Sequence, residues 1–196
     1  MYRCVGLLLA LLPAFGLSVM AQTFRDYECG TTVTVSSSRP ITFMKDVVAG
    51  ADLIVRAGIG RATSHLSKDA RKIFTTYELV TPNVLFTSPS VPPGFGLDSA
   101  GLLVMAQVGG TIFRDGRTDC PLSMSESRST TLTPGMNAVL FLTMWDGQFY
   151  VWLDGVFEVR DSAIVLPKAG PSDGEQFKGM PVDRFIARVL TIKDGR

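Results

Sequence analysis

Histidine is nearly absent from this chain: His65 is the single one among 196 residues, and cysteine occurs three times. A zinc centre draws three or four ligands from His, Cys, Asp and Glu, so the set cannot be assembled once the cysteines are committed elsewhere. A hydrolytic triad needs a base that orients and deprotonates its nucleophile. Ser64 is next to His65, but adjacent residues on a strand point to opposite faces, so the two are not a dyad. The Gly-x-Ser-x-Gly elbow is missing, and no Lys has a Ser three residues before it. Gly58-Ile59-Gly60 and Gly94-Phe95-Gly96 lack the following helix and Lys of a phosphate cradle. Asp115, Asp119 and Glu126 share one polar loop without the glycine-punctuated calcium pattern. Asp146 and Asp154 each precede Gly, where turn geometry explains an Asp without paired-carboxylate catalysis. An excess of one charge is lacking too. With 19 Lys plus Arg against 18 Asp plus Glu, the chain has no basic surplus for a nucleic-acid backbone. The reading is of no catalytic residue, metal or cofactor, and of no nucleic-acid partner.

What is present begins with a leader. Arg3 precedes an apolar run from Val5 to Phe15, and Val19 and Ala21 occupy the small-residue positions before Gln22. This pattern is a secretory signal over residues 1–21; the run is too short for a membrane span, which takes about 20 apolar residues. Removing Arg3 leaves 18 positive and 18 negative side chains, so the mature chain is formally neutral. Its size fits one domain with a full core. Cys4 leaves with the signal, and Cys29 and Cys120 then pair most simply as one disulfide in an oxidising compartment, secreted or periplasmic.

Residues 22–40 form a polar arm whose strand-like part is Thr31 to Val35. Residues 41–196 form the single domain. Phe43, Met44, Val47 and Val48 recur at helical spacing and Gly50 supplies a stop, which predicts a short helix. From Ala51 to Arg61 the period is two: Leu53, Val55, Ala57 and Ile59 share a core face, and Gly58 and Gly60 mark a strand built to bend. Lys72 to Val80 reads as a second strand, ended or placed on an edge by Pro82. Ser88 to Ser99 is a loop, Leu102 to Val108 a third strand, and Thr111 to Arg114 a short continuation. Arg117 to Thr133 is polar and reads as loop. Pro181 to Leu190 reads as an amphipathic helix with Val182, Phe185, Ile186, Val189 and Leu190 on one stripe, expected to pack on the chain's own sheet.

The best-defined piece is a hairpin, Asn137 to Trp145 and Gln148 to Leu153 about Asp146-Gly147. Counting outward from the turn pairs Trp145 with Gln148, Met144 with Phe149, Thr143 with Tyr150, Leu142 with Val151, Phe141 with Trp152 and Leu140 with Leu153. Leu140, Leu142, Met144, Phe149, Val151 and Leu153 make an apolar face. The other face carries Phe141, Trp145, Tyr150 and Trp152, which could stack on a sugar ring or grip a peptide, or be covered by a helix as a second core layer. Asp154-Gly155 reads as another turn, before Val156 to Val159 and Ala163 to Leu166.

A short helix leading into ADLIVRAGIG, then FTTYELV, VMAQVGG, PGMNAVLFL, GVFEV and a final helix PVDRFIARVL, resembles a group of uncharacterised exported bacterial domains. These are similar to the OB-like barrels of netrin-like modules and of tissue inhibitors of metalloproteinases, and the likeness runs from about Thr42 to the end. It implies a mainly β fold: a small closed barrel of five or six strands with a helix before the first strand and an amphipathic helix at the C-terminus. Those inhibitors grip the target's zinc with a Cys at the mature N-terminus, whereas here the expected first residue is Gln22 and Cys29 lies further in. The expectation is therefore a secreted, non-enzymatic module that binds protein or glycan. The alternatives are a secreted hydrolase, which would show His65 exposed beside a carboxylate and a hydroxyl, or an inhibitor docking through residues 22–28.

Overall fold

The computed structural model describes residues 23–35, 42–126, 130–166 and 170–195, and of 153 and 154 the backbone. The expected leader and its junction at Gln22 lie outside these residues, as do 36–40 of the arm and residue 41, the first of the expected domain. The fold is mainly β, in two sheets. The larger contains β2 (Leu53–Leu66), β3 (Ile73–Thr87), β4 (Val104–Val108), β7 (Asn137–Trp145), β8 (Gln148–Arg160) and β9 (Ala163–Val165). Its order is β4-β3-β2-β7-β8-β9, and β4 also pairs with β8, so five strands return on themselves as a ring. Four of the five ring pairings are antiparallel; the closure, Met105 with Phe149 and Ala106 with Tyr150, is parallel. Directions cannot alternate around an odd number of strands, so one such pair is unavoidable.

β2 is long because it serves two partners. β7 pairs along Leu53 to Gly58, while β3 follows to Leu66, with register breaks at Ile54/Val55, Arg56/Gly58 and Ile59/Ala62. The expected bending glycines sit at the last two breaks, and a Cβ at Gly60 would come within 2.9 Å of the Val80 side chain. Alternation then fills two cores. Leu53, Val55, Ala57 and Ile59 point into the ring with Leu79, Met105, Leu140, Leu142, Phe149 and Val156. Ile54, Val139, Phe141 and Phe157 point outward, beneath α1 (Met44–Ala49) and α2 (Val182–Lys193), whose Val47, Val48, Val182, Phe185 and Val189 cover them. The stripe on α2 is thus taken up by the chain's own sheet. The Lys193 ammonium staples the two helices by donating to the carbonyls of Val48, Ala49 and Ala51 at 2.9, 3.2 and 2.9 Å.

The smaller sheet, β1 (Thr32–Val35), β6 (Pro121–Glu126) and β5 (Gly110–Phe113), has order β1-β6-β5 with β1 parallel to β6. Cys29 and Cys120 are bonded, closing a loop with a sequence separation of 91. In the chain-entropy description such a loop contributes about 4.5 kcal/mol.

Three expectations need correcting. The polar stretch after Arg117 contains β6, because β1 and β5 supply backbone partners on both sides that its composition could not announce. β3 does not end at Val80 but runs to Thr87: Thr81 takes a left-handed φ of 46° and the strand resumes, while Pro82 lies beyond the β4 pairing that ends at Glu78, in the edge position that is the other reading of it. Asp154-Gly155 is not a turn. β8 runs on through a bulge: Leu142 pairs with Val151 and Leu140 with Val156, five residues of β8 against two of β7.

Candidate functional site

The hairpin holds the predicted register from Trp145 opposite Gln148 to Leu142 opposite Val151. Its turn has Asp146 at φ 45° and Gly147 at φ 79°, the left-handed pair that a two-residue hairpin requires. Asp52, just before β2, secures the β7 tip: its carboxylate accepts from the Met144 amide at 2.8 Å and the Thr143 hydroxyl at 3.1 Å. Beyond Leu142 the register departs. The three extra residues on β8 (five minus two) reverse which face each side chain takes, because strand side chains alternate. Phe141 and Trp152 therefore do not pair as neighbours across the hairpin.

The four aromatic candidates separate accordingly. Phe141 is 0% exposed, with its ring 5.6 Å from that of Phe157 under the helices. It belongs to the covered layer and not to an accessible face. Trp152 is half-buried; its indole lies where a Cβ at Gly50 would be and donates to the Asp46 carbonyl at 3.4 Å. Trp145 is 60% exposed. Tyr150 is half-buried and its ring is 5.4 Å from that of Trp145.

Ring closure adds residues that sequence reasoning missed. β4 lies between β3 and β8, with Phe74 opposite Val108 and Tyr150 opposite Ala106. Ala106 is small and fully buried, so the rings meet above it: Phe74 stands 5.8 Å from Tyr150, edge to face, and His65 stacks 6.3 Å from Phe74. His65, Phe74, Tyr150 and Trp145 thus form a continuous aromatic ridge across three strands of the ring and the end of β2. Period-two alternation in Ile73 to Leu79 does put Phe74 on the outer face. No local signal says that β8 will face it.

Two grooves flank the ridge and share Lys72, Phe74, Trp145 and Tyr150. One, of about 280 Å³, has Ala106, Thr143 and Trp152 in its walls with Glu126 at its edge. The other, of about 510 Å³, is bounded by the β2–β3 turn, with Lys68 and Asp69, and by Asp146 and Gln148 of the hairpin. In the turn the Ser67 hydroxyl donates to Asp69 at 2.6 Å and accepts from the Lys72 amide at 2.9 Å. The Ser67 bond, helped by the Arg71 amide, holds the Asp69 carboxyl below the usual carboxylate range. Partial burial, and then the Asp146 carboxylate, push the Tyr150 hydroxyl up.

His65 is exposed and shares a groove with Ser67 and Asp69. A triad needs the imidazole between hydroxyl and carboxylate, but here the hydroxyl bonds the carboxylate directly, and Ser64 bonds Thr75 at 2.8 Å. Among the described residues no three His, Cys, Asp or Glu side chains gather to hold a metal ion, and no helix is long and apolar enough to cross a membrane. Thr23 to Glu28 lie folded against the ring, with Phe24 buried and the carbonyls of Phe24, Arg25 and Tyr27 all bonded by the Arg114 guanidinium. Comparison with protein-family models and with curated proteins finds no match for this chain, so the reading of this face rests on its own chemistry.

Proposed function

We propose that this chain is an exported, non-enzymatic binding module of OB-like architecture, secreted or periplasmic, whose ligand is a glycan. The observation that carries the reading is the ridge of Trp145, Tyr150 and Phe74 with a groove on either side. Aromatic faces offer flat apolar area at low entropic cost, which suits the C–H faces of successive sugar rings. The ammonium, carboxylate and amide groups of Lys68, Lys72, Asp146 and Gln148 would meet the hydroxyls around them. Lysines and carboxylates line the same grooves, which favours a neutral chain over a polyanion.

The position of the face supports the architecture as well. OB barrels take ligands on the face of their second and third strands, between the loop joining strands one and two and the loop joining four and five. Counted around the ring, those are β3 and β4, the turn Ser67 to Lys72, and Asp146-Gly147. The leader pattern and the Cys29–Cys120 bridge support export.

The test is titration of the folded protein with cellotetraose, chitotetraose and unrelated tetrapeptides while tryptophan emission is followed, with calorimetry in parallel. The expected result is a saturable emission change with at least one tetrasaccharide, abolished in Trp145→Ala. Response to peptides alone, or to nothing at millimolar concentration, overturns the glycan assignment.

A further inference from the structure

The groove wall on the β2–β3 side is not self-supporting. Ala70, at the centre of the Ser67 to Lys72 turn, is buried and held at a φ of 54°, a left-handed conformation that alanine disfavours. Its carbonyl accepts from the Phe24 amide at 2.7 Å. The Phe24 side chain packs with Ile73, Leu122, Met124 and Leu66 in a third core between the smaller sheet and the ring. Ile73 separates Lys72 from Phe74, two of the four residues common to both grooves, and its amide points at the Met124 sulfur, 3.3 Å away. Phe24 is in turn fixed from behind. Asp26 closes a turn onto the Thr23 amide and hydroxyl at 2.9 and 2.8 Å, the Arg114 side chain gathers the neighbouring carbonyls, and Cys29 is bonded to Cys120.

We propose that the disulfide-held arm is a positioning element of the binding face: through Phe24 it sets the Ser67 to Lys72 turn, and with it Lys72 and Phe74. Phe24 touches no ligand in this arrangement; it acts through Ala70 and Ile73. The consequence for affinity rests on the glycan reading, whereas the structural coupling does not. Reduction of Cys29–Cys120 frees the arm, loosens the turn and weakens binding in both grooves together.

The experiment is amide hydrogen exchange on the unliganded, full-length mature protein, comparing wild type, Phe24→Ala, Phe24→Leu and Cys29→Ser/Cys120→Ser. In Phe24→Ala, exchange at Ala70 to Phe74 should accelerate about tenfold while the ring amides of Ile54 and Val139 keep their rates. Phe24→Leu, which refills the apolar site, should recover most of the protection, and the cysteine variant should follow Phe24→Ala at the turn. Unchanged exchange at Ala70 to Phe74, or equal acceleration there and in the ring, overturns the coupling. Because no ligand enters this measurement, a failed glycan titration has no bearing on whether the arm and the turn are coupled. If the titration succeeds, Phe24→Ala should weaken the binding of the same tetrasaccharide and Phe24→Leu should restore it.

Discussion

Replacing Gly155 with alanine tests the geometry that divides the aromatic residues between core and surface. A Cβ at this position would lie 2.5 Å from the Trp152 carbonyl oxygen, 2.7 Å from the Phe141 Cβ and 2.9 Å from the Phe141 carbonyl oxygen. Two of these three neighbours are backbone atoms in paired strands, which cannot swing aside as the end of a flexible side chain can. Overpacking a well-filled site costs about 1–3 kcal/mol, and with the backbone as the obstacle the upper end applies. Gly155→Ala should therefore lower stability by about 3 kcal/mol, or roughly 6–12 °C in melting temperature for a chain of this length. Urea unfolding followed by far-UV circular dichroism should show a lower midpoint with an unchanged slope. Gly147→Ala supplies the comparison: its φ is 79° but nothing lies within 4 Å of the added carbon, so it should cost only about 1 kcal/mol of backbone strain. If Gly155→Ala costs no more than Gly147→Ala, β8 does not wedge against Phe141 at the bulge, and the backbone-to-backbone approach that turns the register there is refuted.

Acrylamide should quench chiefly Trp145, which is 60% exposed, and Trp145→Phe should remove most of the accessible emission while changing stability by less than about 0.5 kcal/mol; equal quenching of both tryptophans would place Trp152 outside the helix-covered layer. At alkaline pH the sign is set by Tyr77, whose hydroxyl burial pushes above the ordinary 10.0. The unfolded chain then loses that proton first, so the contribution is complete below pH 10 and disappears as pH rises through the native value. Tyr77→Phe should flatten the loss of stability above pH 10, as read from urea midpoints; an unaltered slope would refute the burial argument.

Much of the fold is legible where a rule of local geometry applies. The bent strand, the Asp146-Gly147 hairpin and both helices follow from periodicity and turn chemistry, and the first four hairpin pairs are where counting puts them. The count fails beyond Leu142 because Asp154-Gly155 carries the composition of a turn, whereas the glycine serves a close approach of backbone to backbone inside one continuing strand. β6 escapes notice because its period-two signal consists of only Leu122 and Met124 within a polar stretch, and it borrows its order from strands far away in sequence. The face proposed to bind is half legible for the same reason. Trp145 and Tyr150 are close through a local turn, but Phe74 and His65 reach them only through the pairing of β3 and β8 with opposite edges of β4.

That pairing contains the parallel pair that a five-strand ring cannot avoid. A ring of five strands must contain one parallel pair, and parallel neighbours cannot be joined by a tight turn; the chain must leave β4 at Val108 and travel before β8 can lie beside it. It does so through β5 and β6 and then β7. The excursion through β5 and β6 is what carries Cys120 to Cys29 and gives the arm a sheet to join. Glu126, at the end of β6, then borders the smaller groove, and Met124 packs against Ile73 beneath the ridge. The stretch between β4 and β7 thus both separates the two strands of the parallel seam in sequence and builds the sheet that anchors the arm. A ring of six alternating strands would have no parallel β4–β8 seam to bring Phe74 and Tyr150 together above Ala106.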